Sequence, residues 1–451
     1  MKRIPYCFFY LVIALLISHN SFAQDTVQVV TDWLRKNSLT IKYIEAGNNF
    51  SDLQSLKKTL QGVSVVGLGE ATHGTREFFT MKHRLVEFLV KEMGFTAFAL
   101  ESSYSACQPI NDYILTGKGD LAKALTNQGY MPWDTEEFLA MLDWMRAYNQ
   151  KVSDEEKVKF YGMDVLCCNG VGREKVRAYL AKYAPNRVAA TDSLFHVLAS
   201  EDEKWPSRLN QNALQSTFIP LHELVGYFTA NKNKLVAASS LKEWEQTYKY
   251  LEVMEQGLYV NVKDIPATLD SKKLTRDEYM AQNLLYFIEK ERPNTKFIVW
   301  QHNGHISKRS DNKQLGYNLY QALGDRYYAI AFECYEGTFQ TRVELPDGFW
   351  GVLKSDTIHP VPKSLGWYLR RTGKKSLFLN LRSIASNSVV EKWLETPIRF
   401  NNGHWVYRGP VKNFDTKNIK DFYDGILYIE RSTPVHPTKN ALERSAGRIG
   451  F

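Results

Sequence analysis

Cysteine is scarce in this chain, with five residues among 451. Cys7 lies near the start, and the other four are Cys107, Cys167, Cys168 and Cys334. No two have the Cys-x-x-Cys spacing of a structural zinc site, so none is predicted. Adjacent cysteines do not readily bridge each other. Two alternatives therefore stay open: one disulfide from the adjacent pair to a distant cysteine, or buried thiols.

Long apolar segments are also missing. The apolar run at residues 8–17 is too short to span a bilayer and follows two basic residues. Small residues at positions 21 and 23 match what a signal peptidase reads, so residues 1–23 are predicted to be a secretory signal peptide. We expect an exported protein, periplasmic or secreted, that begins near Gln24 and has no stable membrane insertion.

A strong charge bias and a serine-hydrolase motif are absent. The net charge is +8, with no block of Lys and Arg interleaved with aromatic residues, so no nucleic-acid partner is expected. The segment that comes nearest to Gly-x-Ser-x-Gly, residues 62–66, lacks the final glycine. A covalent serine mechanism therefore has no support in the sequence.

What the chain does contain is a strand–loop–helix pattern near residue 70. The apolar run Val63–Leu68 is typical of a buried strand. Apolar residues at helical spacing from Phe78 to Met93 predict a helix, with Gly94 as its cap. Glu70 and His73 fall in the loop between them, where open α/β sheets bind ligands. Their spacing is not the His-Glu-x-x-His of zinc peptidases.

Further apolar runs extend this pattern. They predict strands at residues 96–100, 158–163, 295–300, 327–333, 376–381 and 425–429. Three of these strands are followed by ionisable residues, namely Glu101, Asp164, and His302 with His305. Because parallel strands end at one edge of a sheet, Glu70, His73 and Glu101 should meet there, on neighbouring strands if the order is sequential. Residues 340–375 and 395–420 are expected to be rich in loops.

The spacing of these elements predicts an α/β protein with a central, mostly parallel sheet flanked by helices. Residues 172–292 are charged, mainly helical in pattern and poor in Gly and Pro. We expect them to form a large helical insertion over the active edge of the sheet. The predicted divisions are a signal peptide at 1–23, α/β parts at 24–171 and 293–451, and the insertion between them.

Several segments resemble the erythromycin esterase family. The main ones are Gly69-Glu70-Ala71-Thr72-His73-Gly74, Leu100-Glu101-Ser102 and Val299-Trp300-Gln301-His302-Asn303-Gly304-His305. Weaker similarity covers residues 131–133, 161–164 and 276–283. The resemblance implies an ester hydrolase acting on a small molecule. In this family's esterases the substrate is a macrocyclic lactone and the helical region forms part of a wide cleft.

The resemblance also implies roles for four residues. His73 would be the general base that takes a proton from water, since a neutral imidazole has a pKa near working pH. Glu70 or Glu101 would orient its ring and stabilise the imidazolium. His302 would be a second essential group, which polarises the carbonyl, holds the water or protonates the leaving alcohol.

Five further residues are candidates for contacting the substrate. Lys82 could supply positive charge to an oxyanion or be an ordinary solvated helix lysine, and Arg76 could do the same or neutralise the two acids. Trp133 could line a pocket or fill a gap in the core. The other two candidates are His305 and Asp164.

Two other functions remain open on the sequence alone. The five residues Glu70, His73, Glu101, His302 and His305 could hold zinc or another divalent ion, as in a metal-dependent hydrolase or peptidase. They could also form the site of a non-catalytic protein that binds a ligand or haem. Our expectation is an esterase with no metal and no cofactor. The oligomeric state is not predicted.

Overall fold

The computed structural model describes residues 26–167, 169–202, 209–265, 273–309, 313–344, 350–385, 388–401, 403 and 414–446. The predicted signal peptide and Cys168 lie outside these ranges. Within them, no helix is both long and apolar enough to cross a membrane. Cys107, Cys167 and Cys334 are buried thiols that are not joined to one another.

The centre of the fold is a large mixed sheet, flanked by helices on both faces. The strands are β1 Leu39–Thr40, β2 Val65–Leu68, β3 Ala97–Ser103, β4 Lys159–Asp164, β5 Phe297–Trp300, β6 Tyr327–Glu344, β7 Trp350–Ile358, β8 Ser376–Asn380, β9 Ile398–Asn401, β10 Phe414–Lys417 and β11 Gly425–Ser432. The sheet order is β1-β8-β11-β6-β2-β5-β3-β4, with β7 paired to β6, and β9 and β10 form a separate antiparallel pair. Strands β11, β6, β2, β5, β3 and β4 are parallel, as predicted for the core of the sheet.

The helices begin with α1 at residues 26–37. They continue with α2 Leu56–Thr59, α3 Arg76–Met93, α4 Gln108–Thr116, α5 Leu121–Asn127, α6 Glu136–Asn149, α7 Gly170–Tyr183, α8 Val188–Asp202, α9 Gln211–Ala230, α10 Lys232–Ala238, α11 Leu241–Asn261, α12 Arg276–Lys290, α13 Asn303–Ile306, α14 Leu315–Leu323, α15 Leu365–Arg370, α16 Val389–Glu395, α17 Ile419–Phe422 and α18 Lys439–Ala446. Helices α7 to α12 occupy the region predicted to be a helical insertion. Helix α3 ends as predicted, with Gly94 in the left-handed conformation at φ 70°.

Strands β2 and β3 are not neighbours, so the condition of a sequential strand order is not met. Strand β5 lies between them and pairs in parallel with both, because Phe297 is in register with Val65 on one side and Ala97 on the other. The chain therefore inserts a late strand between two early ones. The loop after β5 is brought to the same edge as the ends of β2 and β3, which carry Glu70 and Glu101.

Residues 340–375 contain more strand than predicted. Strand β6 runs on to Glu344 and forms an antiparallel hairpin with β7. Gly337 marks the point where β6 leaves the central sheet, with φ 136°, and a Cβ there would lie 2.2 Å from the Ser432 carbonyl oxygen. A glycine at this position permits the close approach, so the strand continues past residue 333, where it was predicted to end. Short elements α16, β9, β10 and α17 likewise replace part of the loop expected at 395–420.

Candidate active site

Glu70 and His73 form a fixed pair directly after β2. The Glu70 side chain is fully buried, and His73 Nδ1 lies 2.6 Å from its Oε1. A carboxylate only accepts hydrogen bonds, so Nδ1 carries the hydrogen and donates it. In the neutral ring the other nitrogen, Nε2, keeps its lone pair. The side chain of His73 is 14% exposed, so the ring lies at the surface of a buried cluster.

Lys82 and Trp300 hold the second oxygen of Glu70. Lys82 Nζ donates to Oε2 at 2.6 Å and Trp300 Nε1 donates to it at 2.9 Å. Lys82 is fully buried, 4.2 Å from the Trp300 ring centroid, so it is not a solvated lysine. Burial lowers the pKa of Lys82 to about 8, although the Glu70 charge opposes that shift. Lys82 therefore faces Glu70 rather than a substrate.

The loop after β5 is held next to Glu70 by Asn303. This residue bonds both to β6 and to the loop after β2, the strand that lies between β5 and β6. Its side-chain amide donates to Phe332 O at 2.9 Å and accepts from Phe332 N at 3.0 Å. Its backbone N–H donates to Glu70 O at 2.9 Å. A Cβ at Gly69 would lie 2.2 Å from Asn303 Oδ1, so a glycine is needed there. Asn303 thus fixes the two loops against each other.

His302 is held in the opposite tautomer to His73. Gly304 N donates to His302 Nδ1 at 3.1 Å, so Nδ1 is an acceptor and the hydrogen sits on Nε2. Nε2 lies 3.3 Å from Ala71 O, to which it donates. The rings of His302 and His73 are 5.2 Å apart between centroids. A lone pair on one histidine and an N–H on the other therefore lie side by side.

Glu101 lies inside β3 rather than after it, and Arg276 is its cation. Arg276 Nη2 is 2.9 Å from Glu101 Oε1, and the same guanidinium also bonds Asp164 through Nε at 2.9 Å. Asp164 is fully buried and accepts from Tyr130 Oη at 2.9 Å. This arrangement corrects two expectations. Asp164 holds Arg276 instead of contacting a substrate, and Arg276, not Arg76, neutralises Glu101.

His305 is enclosed by two carboxylates. Its Nδ1 is 2.9 Å from Asp277 Oδ2 and its Nε2 is 3.3 Å from Glu101 Oε1. Burial acts to lower the pKa of His305, but Asp277 and Glu101 outweigh it and raise the pKa to about 9. Burial likewise acts to raise the pKa of Glu101, yet His305, Arg276 and His73 hold it at about 2. His305 is thus a fixed cation and Glu101 a fixed anion at neutral pH.

Trp133 packs in the core and against the site at once. Its residue is 1% exposed, and its Nε1 donates to Glu101 O at 3.1 Å. Its ring meets the His73 ring edge to face, with centroids 5.3 Å apart. The alternatives of pocket wall and core filler are therefore not exclusive, since Trp133 forms one side of the space around His73.

Arg76 lies away from these groups. Its guanidinium is 3.3 Å from Glu45 and 3.6 Å from Glu137, on the outer side of α3. Of the nine residues singled out from the sequence, eight are gathered in one connected network, directly or through Arg276. Arg76 is the exception.

The polar atoms of the cluster do not fit a metal ion. Both oxygens of Glu70 already accept hydrogen bonds from other side chains, and His302 Nδ1 accepts from a backbone N–H. His305 has a carboxylate at each ring nitrogen. Among the described residues, no group of three or more His, Cys, Asp or Glu side chains is arranged to hold a metal.

Arg276, Asp277 and Trp300 belong to the site but were not predicted as site residues. Arg276 and Asp277 open helix α12. Arg276 contacts Asp164 and Glu101, more than a hundred residues earlier in the chain, and Asp277 contacts His305. The one available signal was that both lie in a segment with weak family similarity. Trp300 resembles an ordinary core residue of a strand, and only its indole N–H reveals the role.

Comparison with known proteins agrees with this geometry. The family model described as Erythromycin esterase matches residues 90–432, three quarters of the chain. This chain belongs to the erythromycin esterase family. Erythromycin esterase type II of Escherichia coli is 25% identical over 428 residues, covering 89% of this chain and 97% of that protein. The putative hydrolase YbfO of Bacillus subtilis is 24% identical, covering 89% and 91% respectively.

A solved structure supports the same fold. A protein from Bacillus cereus is 27% identical, with a TM-score of 0.77 over 92% of this chain and 99% of its own. The two proteins therefore share the α/β architecture along nearly their whole lengths. Family membership supports a hydrolase acting on a small molecule.

Proposed function

We propose that this erythromycin esterase family member is an exported hydrolase that cleaves a carboxylic ester with water. The observation that carries the proposal is the opposite tautomers of two adjacent histidines. His73 has its Nδ1 bound to Glu70 and its Nε2 lone pair available, whereas His302 has its Nε2 protonated. One can take a proton while the other donates a hydrogen bond.

The proposed reaction begins when His73 Nε2 removes a proton from water and the water oxygen attacks the ester carbonyl carbon. Glu70 stabilises the imidazolium that forms. The carbonyl oxygen becomes an oxyanion, and His302 Nε2–H exchanges its 3.3 Å bond to Ala71 O for one to the oxyanion. His73 then returns its proton to the alcohol oxygen as the C–O bond breaks. The products are one acid and one alcohol.

The cations near Glu101 assist by their charge. Arg276 and His305 have side chains 22% and 25% exposed, so both contribute to the surface of the site. Positive charge fixed there lowers the free energy of a developing oxyanion, because it needs no rearrangement during the reaction. Lys82 has a different effect, since it donates to the Glu70 carboxylate that holds the His73 ring.

A hydrolysis assay by mass spectrometry tests the proposal. Purified protein would be incubated with a panel of macrolides and simple aryl esters, with and without a chelator. We expect one substrate of the panel to gain the mass of one water. The chelator should leave the rate of this reaction unchanged, and the His73→Gln variant should lose the activity. Loss of the activity on chelation would instead favour a metal-dependent hydrolase. A tightly bound small molecule with no turnover of any ester would favour a binding protein.

Export is tested separately by the N-terminus of the protein recovered from its native cells. We expect a chain that begins near Gln24 outside the cytosol. A full-length chain with Met1 in the cytosolic fraction would contradict the signal peptide.

A further inference from the structure

A segment near the C-terminus ties together the two loops that carry His73 and Trp133. Residues Thr433–Thr438, which we call the C-terminal strap, connect β11 to α18. The strap first runs antiparallel to the residues that directly precede α3. Thr75 forms an isolated β-bridge with Pro434, and Val435 N donates to Gly74 O at 3.0 Å. Gly74 directly follows His73.

Glu77 anchors this end of the strap. Its Oε2 accepts from Thr433 N at 2.7 Å, and its Oε1 accepts from the Thr433 hydroxyl at 2.6 Å. Glu77 lies in the first turn of α3 and is 8% exposed. Hydrogen bonds to a charged acceptor are among the stronger ones, and this pair is largely shielded from water.

The other end of the strap pairs with the loop after Trp133. Thr135 forms an isolated β-bridge with Pro437. Thr438 donates through its backbone N to Asp134 O at 3.1 Å and through its hydroxyl to Asp134 Oδ1 at 2.6 Å. Asp134 directly follows Trp133, so each end of the strap holds the residue next to an aromatic ring of the site.

We propose that the C-terminal strap is a positioning segment that sets the His73 ring against Trp133, and that Glu77 is its principal positioning residue. The rings of His73 and Trp133 meet edge to face with centroids 5.3 Å apart, while the backbones of their loops are both paired to the strap. Val435, between the two ends, is 2% exposed and packs in the core under α3. A small displacement of a catalytic base lowers the rate strongly. The effect on catalysis rests on the proposed function, whereas the effect on ring geometry does not.

The test compares three variants of the full-length protein by NMR of the histidine ring protons. Glu77→Ala removes both bonds to Thr433, while Glu77→Gln can still accept from Thr433 N and donate to its hydroxyl. Glu92→Ala is the matched control, because it removes the 2.6 Å ion pair with Lys57 at the far end of the same helix. The His73 resonance is assigned by its disappearance in His73→Gln.

We expect Glu77→Ala to change the ring-current shift of His73, and the other two variants to preserve it. If an ester substrate is known, kcat should fall between about tenfold and a hundredfold in Glu77→Ala, with KM changing less. An unchanged His73 resonance in a Glu77→Ala protein with a lowered Tm would show that the strap is only structural and would overturn the proposal. If Glu77→Ala does not fold, Thr433→Val replaces it, because this change removes only the bond from the Thr433 hydroxyl. A changed His73 resonance in Thr433→Val would support the proposal, and an unchanged one would overturn it. Failure to hydrolyse any ester would count against the proposed function and leave this NMR result valid.

Discussion

The loops after β2 and β5 each place a histidine against a carboxylate, but the two histidines differ in the number of carboxylates that they contact. His73 has one carboxylate, Glu70, at Nδ1. His305 has two, with Asp277 at Nδ1 and Glu101 at Nε2. One carboxylate orients a ring and leaves a nitrogen available, whereas two carboxylates favour the doubly protonated cation. The number of acidic neighbours therefore separates a candidate base from a fixed charge.

The two carboxylates differ in the same way. Glu70 is fully buried and is compensated by Lys82, whose own pKa is lowered by burial. Glu101 is compensated by Arg276 and His305 together. Glu70 depends on Lys82 as its lysine or arginine partner, whereas Glu101 has two cations, which also pair with Asp164 and Asp277. Loss of one group from the Glu70 network leaves a buried charge without its counter-ion, so substitutions there should affect the reaction and stability more.

The largest expected effect is on activity in His73→Gln. Removal of the general base should lower kcat/KM by at least about a hundredfold and up to about ten-thousandfold. The variant should fold normally, because the His73 ring is partly exposed. Rates on an identified ester, with circular dichroism as the folding control, provide the measurement. A variant that keeps most of its activity would remove His73 from the mechanism.

The next effect is on stability in Glu70→Leu. This change leaves the Lys82 ammonium buried without its counter-ion, and loss of one partner of a buried pair costs about 3–5 kcal/mol of unfolding free energy. The double variant Glu70→Leu with Lys82→Met should recover much of that loss. Urea unfolding of the single and double variants measures the coupling, and a strictly additive result would show that the pair does not act as a unit.

A pH effect on activity should come from Lys82. Its pKa of about 8 means that the folded protein loses this cation as the pH rises above 8. Glu70 is then less well stabilised as an anion, so the rate should fall on the alkaline side. In Lys82→Arg the cation is kept and the fall should move to higher pH. Identical alkaline limbs in the two pH–rate profiles would contradict this explanation.

His305 should give a smaller effect, on the pH dependence of stability. Its pKa is raised from 6.5 to about 9, so its contribution is complete below pH 6.5 and is lost as the pH rises through 9. The unfolding free energy of the native protein relative to His305→Gln should therefore decline over that interval. Comparison at each pH cancels the contributions of the other groups. A difference that does not vary with pH would mean that His305 is not a cation in the folded protein.

The smallest effect is expected for Arg76→Ala. Its ion pairs with Glu45 and Glu137 are long and partly exposed, so the change should cost less than about 1 kcal/mol of stability. Its activity should match that of the native protein. An activity loss comparable to that of His73→Gln would return Arg76 to the site.

The positions of the strands and the ionisable groups at their ends could be predicted because each depends on local pattern. The apolar runs before Glu70 and His302 identify buried strands, and the residues that follow them are correctly placed at one edge. The order of the strands could not be predicted, since it depends on where β5 inserts rather than on any residue of β2 or β3. A local pattern contains no information about which strands become neighbours.

Charge partners were the main omission for a similar reason. Arg276 was missed because it comes from a helix far along the chain, and Arg76 was considered because it is near in sequence. The extension of β6 beyond residue 333 was also missed; the positive φ of Gly337 allows the strand to pass close to Ser432. Both errors come from contacts that are close in space and distant in sequence.

The most direct test of the central claim is a nitrogen-15 NMR spectrum of the histidine side chains at pH 7. The chain has ten histidines, few enough to assign by substitution. We predict that His73 carries a hydrogen on Nδ1, that His302 carries its hydrogen on Nε2 and none on Nδ1, and that His305 is doubly protonated. A His302 protonated on Nδ1, or a His305 that titrates near pH 6.5, would contradict the account whatever the substrate is.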